Sequence, residues 1–287
     1  MTSSQARYTV SMPKLHGRPR VFTRRGIARP PYNPALEKYF HQRRNLFSKY
    51  DCGCALDAEG WYSATPEAAA AITAQIMETD GASRGSIFVD AFVGTGSNAI
   101  QQALHDPAGV VIAIDIDPAK IAMARHNAAI YGVAARIHFV IGDFASLAPR
   151  LRAHAVFLSP PWGGPEYGAS DTGGFRIASI RCGSADDADG YRLFELAATI
   201  APTVAYYLPV STAEEDILAL TARHASQRCE CVHLAWGGEK KRRPRAVLAC
   251  FHGPRLPSRL ALSPPGLLHS TANCDARSEP SQRTWAR

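Results

Sequence analysis

The chain has 287 residues and a formal net charge of +7, and this length favours one domain with extensions over two compact domains. The basic excess lies at the two ends: residues 1–34 carry seven Lys and Arg with no Asp or Glu, residues 253–287 carry five against two, and residues 35–252 carry twenty against twenty-three. The sequence has no run of about 18 apolar residues and no secretory hydrophobic segment, which argues against a membrane protein. We therefore expect a soluble, intracellular monomer.

Both ends, 1–34 and 253–287, are rich in Pro, Ser, Arg and small residues and lack hydrophobic periodicity, so we expect disordered arms. Flexible basic arms commonly contact the phosphates of nucleic acids, although such arms are also found as solvated chain without a partner. The basic runs Arg18–Arg29 and Lys240–Arg245 are compatible with nuclear-localisation signals. These features favour the nucleus, with the cytoplasm as a further location.

Residues 35–50 show an amphipathic pattern. Apolar side chains recur at three- and four-residue spacing from Leu36 to Phe47, which predicts a single helix over this range. Such a helix is either an ordinary packing element or a cap over a bound base, with Lys38 directed to phosphates.

The next helix is predicted over Glu67–Met77. Thr65 before Pro66 is typical of an N-cap with proline at the first helical position. The free N–H groups at such a helix start favour a carboxylate, such as that of methionine. We expect residues 35–80 to form a small helical extension that completes the ligand site of a core domain over 81–252.

A strand, a turn and a helix then follow in the order that begins a nucleotide-binding α/β unit. The apolar run Ser86–Val89 leads into the glycine-containing turn Asp90–Asn98, and a helical pattern begins near Ala99. Asp90 is an acceptor that suits a cationic amino group. The turn lacks a full G-x-G-x-x-G pattern, so dinucleotide binding is not favoured.

Two further strands end in acidic residues. Val110–Ile114 ends at Asp115, which is placed to accept hydrogen bonds from ribose hydroxyls. After the helix Ala119–Tyr131, the strand Ile137–Ile141 ends at Asp143, placed to border an adenine. This chain order resembles that of class I S-adenosylmethionine methyltransferases. It implies an α/β fold with a mostly parallel, Rossmann-like, seven-stranded sheet and an antiparallel last strand.

The buried strand Ala155–Leu158 runs into Ser159-Pro160-Pro161-Trp162, a stiff bend because proline fixes φ and lacks an N–H. A polar residue, two prolines and an aromatic residue at a strand end resemble the signature of methyltransferases that act on exocyclic amino groups of bases. Ser159 and the Pro160 carbonyl would accept the amine hydrogens, and Trp162 would stack on the base. The alternative is a proline-rich turn with the indole buried in the core.

The chain after residue 168 is predicted to form one loop followed by helices and strands. A segment rich in Gly, Ser and Asp, 169–189, is expected to be a loop over the substrate site. The predicted elements after it are the helix Gly190–Ile200, the strand Thr203–Leu208, the helix Ala213–Ala222, and the paired strands Cys229–Trp236 and Ala246–Phe251.

The seven cysteines give little support for a metal site. Cys52 with Cys54, and Cys229 with Cys231, are spaced C-x-C, whereas structural zinc usually uses C-x2-C or wider spacing. On a strand, C-x-C places two small apolar residues on one face. We expect no metal.

Taken together, the motifs resemble the trimethylguanosine synthase family over about 35–252. The segments that carry the resemblance are Lys38-Tyr39, Leu46-Phe47-Ser48, Asp57-x-Glu59-Gly60-Trp61, Ser63-x-Thr65-Pro66-Glu67, Asp90-Ala91-Phe92, Ala113-Ile114-Asp115-Ile116-Asp117-Pro118, Gly142-Asp143-Phe144 and Ser159-Pro160-Pro161-Trp162-Gly163-Gly164. The family transfers methyl groups from S-adenosylmethionine to the exocyclic N2 of 7-methylguanosine caps on small nuclear and nucleolar RNAs.

The resemblance implies roles for individual residues. The cofactor contacts would be Thr65, Asp90, Phe92, Gly94, Asp115 and Asp143. Trp162 and Ser63 would contact the cap base, Lys38 the cap phosphates, and Ser159 and Pro160 the reacting amine. No general base is assigned, because methyl transfer to nitrogen depends mainly on positioning.

The sequence departs from the family at its phosphate contacts. The family typically has Arg-Asn after the fifth strand, where this chain has Val210-Ser211. Lys38 or the basic run Lys240–Arg245 is a candidate replacement, and the run is equally well read as a solvated hairpin turn.

Two other functions stay open from the residues alone. One is methylation of a different amino group, such as a guanine or adenine in structured RNA or a protein amide. The other is a non-catalytic RNA-binding module, which the retained Asp90, Asp115 and Ser159 disfavour. The number of methyl groups transferred and the RNAs used are not encoded in these patterns.

Overall fold

A seven-stranded sheet is built from the short apolar runs that the sequence predicts as strands. In this computed structural model the described residues are 34–78, 85–163, 174–182, 188–223, 228–235 and 244–253. The strands are β1 (Ile87–Asp90), β2 (Val110–Asp115), β3 (Ile137–Ile141), β4 (Ala155–Leu158), β5 (Thr203–Pro209), β6 (Arg228–Ala235) and β7 (Pro244–His252). Their order is β3-β2-β1-β4-β5-β7-β6; β7 runs antiparallel to β5 and β6, and the pairs among β1 to β5 are parallel. The predicted fold class is confirmed.

Helices cover both faces of this sheet. They are α1 (Pro34–Phe40), α2 (Arg43–Leu46), α3 (Gly60–Ser63), α4 (Glu67–Ile76), α5 (Ser97–His105), α6 (Pro118–Tyr131), α7 (Phe144–Leu147), α8 (Gly190–Ile200) and α9 (Glu214–Arg223). Alternate strand side chains enter two cores, one with the extension and α4–α6 and one with α7–α9. Because both faces are covered, the central strands β4 and β5 are buried along their whole length. None of the described helices is long and apolar enough to span a membrane.

The single helix predicted over 35–50 is wrong. The chain forms α1, then α2, and the backbone of Phe47 is extended, with φ −139° and ψ 114°. A 3-10 turn, Tyr50–Cys52, follows. The break lets Phe47 and Tyr50 both enter the core, where Tyr50 packs against Trp61 with ring centroids 5.4 Å apart. Burial of these rings outweighs the helical propensity of the segment.

The predicted arms lie almost entirely outside the described residues, as do Lys240–Arg243 and, within the segment 169–189, residues 169–173 and 183–187. The described part 174–182 of that segment pairs through Phe175 with Thr212. The described part of the chain holds no group of three or more His, Cys, Asp or Glu suited to a metal ion.

Candidate active site

A cavity of about 1070 Å³ opens at the carboxyl ends of the parallel strands. Its wall takes residues that follow β1 to β5, together with residues of the extension. The predicted site residues that line it are Lys38, Ser63, Thr65, Phe92, Gly94, Asp115, Asp143, Ser159, Pro160 and Trp162. Open parallel sheets bind ligands at this edge, because the strand ends and helix starts meet there. The topology thus brings ten of the eleven predicted residues to one cavity.

The turn after β1 is shaped by two glycines with positive φ. Gly94 has φ +53° and Gly96 has φ +98°, a region that favours glycine. A Cβ on Gly96 would lie 3.1 Å from the Cα of Ala124 in α6, so this turn packs directly on the helix. The Gly94 N–H donates to Asp115 Oδ2 at 2.9 Å, which joins the turn to the end of β2.

Asp115 is held by the backbone on both oxygens. Its Oδ1 accepts from Asp117 N–H at 3.0 Å, in addition to the bond from Gly94. Burial raises the pKa of Asp115, and these backbone hydrogen bonds act in the opposite direction. Each carboxylate oxygen has two acceptor positions, so both can also accept a ligand hydroxyl. The arrangement fits the predicted ribose contact.

Asp90 ends β1 but does not line the cavity. It is 1% exposed, its Oδ1 accepts from Phe92 N–H at 3.3 Å, and its Oδ2 has no partner among the described residues. Burial raises the pKa of Asp90 to about 7, and the negative charge of Asp115 adds to this. A cationic group near this oxygen would satisfy it and favour the ionised form. Direct contact of Asp90 with the cofactor stays a prediction.

Thr65 is not the N-cap of α4, contrary to the sequence prediction. The N-cap is Pro66, and no side chain caps the helix start there. The Thr65 hydroxyl instead accepts from Asn98 Nδ2 at 2.9 Å, and its carbonyl accepts from Ser97 Oγ at 2.6 Å. The reason is that the start of α5 lies against Thr65, so this residue fastens the extension to the glycine turn.

Asp143 and Phe92 form the other end of the cofactor wall. Asp143 caps α7, accepting from Ala145 N–H at 3.2 Å and from Ser146 Oγ at 3.0 Å. The Phe92 ring is tilted against Phe144, with centroids 6.0 Å apart. Both predicted residues therefore stand on the cavity wall in fixed positions.

The Ser-Pro-Pro-Trp segment follows β4 as predicted. Trp162 is half-buried, packs against both cores and also lines the cavity. Its Nε1 donates to the Tyr207 carbonyl at 3.2 Å, and its ring stacks on the Tyr207 ring at 5.3 Å and 22°. The indole thus belongs partly to the core and partly to the wall. Ser159 Oγ donates to the Phe92 carbonyl at 3.4 Å, which leaves its lone pairs as acceptors.

The predicted cap-side residues lie in the extension. Lys38 is exposed, with its Nζ 4.8 Å from the Tyr39 ring centroid. Ser63 is exposed and its Oγ donates to the Glu59 carbonyl at 2.9 Å. Both line the same cavity as Trp162.

One charged group at the site was missed by the sequence analysis. Lys120 of α6 lines the cavity at 7% exposure, with Nζ 2.9 Å from Asp57 Oδ2 and 3.0 Å from Glu59 Oε2. Burial alone would lower the pKa of Lys120, but the hydrogen bonds and charges of the two carboxylates outweigh burial and raise it. This group fastens the segment before α3 to the core. The partners are about sixty residues apart, so no local pattern connects them.

The strand order and the ligand cavity at the carboxyl ends of β1 to β5 define a class I S-adenosylmethionine-dependent methyltransferase. The fold is similar to that of an S-adenosylmethionine-dependent methyltransferase from Agrobacterium tumefaciens, with a TM-score of 0.51 and 12% identity over 67% of this chain and 64% of that one. Residues 85–252 match the family model of RNA cap guanine-N2 methyltransferases, and the chain belongs to this family.

Curated relatives agree with that assignment. The trimethylguanosine synthase of Schizosaccharomyces pombe is 40% identical over 205 residues, which are 68% of this chain and 79% of that protein. The trimethylguanosine synthase of Saccharomyces cerevisiae is 36% identical over 150 residues, half of this chain and 47% of that protein. The resemblance drawn from the motifs is confirmed.

The cofactor of the family, S-adenosylmethionine, fits the residues present. It carries a sulfonium methyl that is the electrophile, an ammonium group and ribose hydroxyls. The unpartnered oxygen of buried Asp90 suits a cation, and Asp115 on the wall suits hydroxyl donors.

Proposed function

We propose that the protein transfers methyl groups from S-adenosylmethionine to the exocyclic N2 of a 7-methylguanosine RNA cap, giving 2,7-dimethyl- or 2,2,7-trimethylguanosine. The observation that supports this most directly is the rigid Trp162–Tyr207 ring pair beside Ser159 and Pro160, in the same cavity as the cofactor wall. A planar base on the indole would bring its amine to the end of β4.

Recognition of the methylated base follows from charge. A 7-methylguanine is cationic, so it gains about 0.5–2 kcal/mol from a cation–π interaction with an indole that a neutral guanine lacks. The hydrogen bond and the ring contact to Tyr207 fix the orientation of Trp162 before the base arrives. Less ordering is then needed on binding.

The amine is activated by position. Its lone pair is delocalised into the ring, and two acceptors on its hydrogens hold it for in-line attack. Ser159 Oγ suits one of these, because its own hydrogen is donated to the Phe92 carbonyl. The Pro160 carbonyl is the second. No general base is required, since the proton leaves to water after transfer.

The RNA partners and the location are part of the same proposal. We infer a monomeric enzyme that acts on capped small nuclear and nucleolar RNAs in the nucleus. The names of the curated relatives support a cap as the substrate, and the charge of the two basic ends supports their contact with RNA phosphates.

The test is methyl transfer from labelled S-adenosylmethionine to 7-methylguanosine diphosphate, with guanosine diphosphate as the matched control. We expect label on the methylated nucleotide alone, and mass spectrometry counts the methyl groups. Equal label on both nucleotides would contradict cap specificity. Label on neither, with label on structured RNA or on a protein amide, would replace the proposal by that alternative.

A further inference from the structure

Basic side chains on the cavity wall differ in their partners. Those among the described residues are Lys38, Lys120, Arg181 and Arg245. Lys120 is neutralised by two carboxylates, and the Arg181 guanidinium donates to the carbonyls of Ala178 and Ile180. Across the described ranges, no acidic side chain lies within 4.0 Å of Lys38 or Arg245. Among the described residues Arg181 also lacks a carboxylate partner, but it donates to two carbonyls, so Lys38 and Arg245 are the two wall cations with neither kind of partner.

The backbone of Arg245 lies directly beside Val210, the apolar residue that follows β5. Pro209 of β5 is in register with Ala246 of β7, and Val210 N–H donates to the Arg245 carbonyl at 3.4 Å. Val210 also lines the cavity and is 41% exposed. The neighbouring strand β7 thus places an arginine on the cavity wall beside Val210, the apolar residue that follows β5.

The position of Arg245 suits the phosphates of a base bound on Trp162. The indole N–H of Trp162 donates a hydrogen bond to the carbonyl of Tyr207, which lies three residues before Val210. At a strand rise of about 3.3 Å per residue, the two positions are about 10 Å apart along β5. The sugar of a nucleotide separates its phosphates from its base. A cation that binds the phosphates should therefore lie some distance along β5 from Trp162, as Arg245 does.

We propose that Arg245 binds the 5′ polyphosphate of the cap and positions it. This inference rests on the proposed function, because it assigns a phosphate-bearing guanosine as the ligand. A guanidinium presents paired N–H donors that match two phosphate oxygens, which a lysine ammonium does not. Arg245 is a positioning residue in this proposal and takes no part in the methyl transfer.

The experiment compares Arg245→Gln with the wild type on two substrates, 7-methylguanosine and 7-methylguanosine diphosphate. We expect the variant to raise KM for the diphosphate about 10- to 100-fold, the range of a charge-assisted hydrogen bond, with little change in kcat. The preference for the diphosphate over the nucleoside should fall by the same factor. Arg245→Lys should restore only part of it. Arg192→Gln is the matched control, because Arg192 is an exposed arginine of α8 that pairs with Glu195 away from the cavity.

Three results would overturn the assignment. An equal rise in KM for nucleoside and diphosphate would mean that Arg245 only supports the fold. An unchanged KM for the diphosphate would place the phosphates elsewhere. A loss as large in Arg192→Gln would mean that overall charge is responsible. Calorimetric binding of the same two ligands separates this inference from the proposed function. If the wild type binds the diphosphate through Arg245 but transfers no methyl group, the function fails and the phosphate site stands.

Discussion

Replacement of Trp162 by leucine should abolish the preference for a methylated cap while the protein still folds. Leucine keeps apolar contact with the two cores that Trp162 touches, but it removes the aromatic face and the hydrogen bond to the Tyr207 carbonyl. The site would then lack both the stacking surface and the electron-rich ring.

The size of the effect follows from two contributions. Loss of base stacking costs about 1–3 kcal/mol, which raises KM for 7-methylguanosine diphosphate roughly 5- to 150-fold. Loss of the cation–π interaction costs a further ~0.5–2 kcal/mol for the cationic base only. The ratio of kcat/KM between methylated and unmethylated nucleotide should therefore fall about 2- to 30-fold.

The assay is kcat/KM for 7-methylguanosine diphosphate and guanosine diphosphate, together with the affinity for S-adenosylmethionine by calorimetry. Trp61→Phe is the control, because Trp61 is buried against Phe40 and Tyr50 and does not line the cavity. It should lower stability without changing the ratio. A Trp162→Leu enzyme that keeps its preference, or that loses cofactor affinity as strongly as cap affinity, would refute the stacking argument and make Trp162 a core residue.

Two further predictions concern groups around the cofactor wall. Lys120→Met should lower stability by about 1–3 kcal/mol, since it leaves Asp57 and Glu59 without their cation, both of them partly solvated. Asp57→Asn keeps the oxygen that accepts from Gly60 N–H and removes only the charge. A double-mutant cycle of Lys120→Met and Asp57→Asn, measured by urea unfolding, should give a coupling free energy of at least about 0.5 kcal/mol. Strict additivity of the two substitutions would contradict the pairing. For Asp90, burial raises the folded-state pKa from its ordinary value of 3.8 to about 7. Its contribution to the unfolding free energy of the cofactor-free chain is therefore largest at acidic pH and is lost as pH rises from about 4 to about 7. Asp90→Asn should remove that pH dependence, and an unchanged slope in the variant would mean that other groups cause it.

Strands β1 to β5 could be predicted because each is a short, mostly apolar run that ends at or before a polar or turn-forming residue. Val110–Ile114 and Ala155–Leu158 needed no tertiary information, and both lie in strands of the structure. The helix over 35–50 failed for the opposite reason. Its spacing is helical, but Phe47 and Tyr50 gain more by entering the core than the local hydrogen bonds provide.

The same contrast applies to the site. Parallel strands deliver their carboxyl ends to one edge, so Asp115, Asp143 and Ser159 could be assigned to one cavity from chain order alone. Their supports could not be assigned, because Tyr207 under Trp162 and Asn98 on Thr65 are 45 and 33 residues away in sequence. Those contacts depend on which elements the completed fold makes adjacent.

In the proposed phosphate site, the charge comes from Arg245 of a neighbouring strand, beside an apolar residue that follows β5. The segment after β5 contains Val210 and Ser211, and neither side chain carries a charge for a phosphate. In the folded chain the next strand in the sheet is β7, and its antiparallel register brings Arg245 to the same edge as Val210. Adjacent strands lie about 5 Å apart, a distance that a long arginine side chain spans. The charge at a sheet edge can therefore come from a residue on either of two paired strands. The effect of a substitution in one strand should be judged together with the residue that the register places beside it.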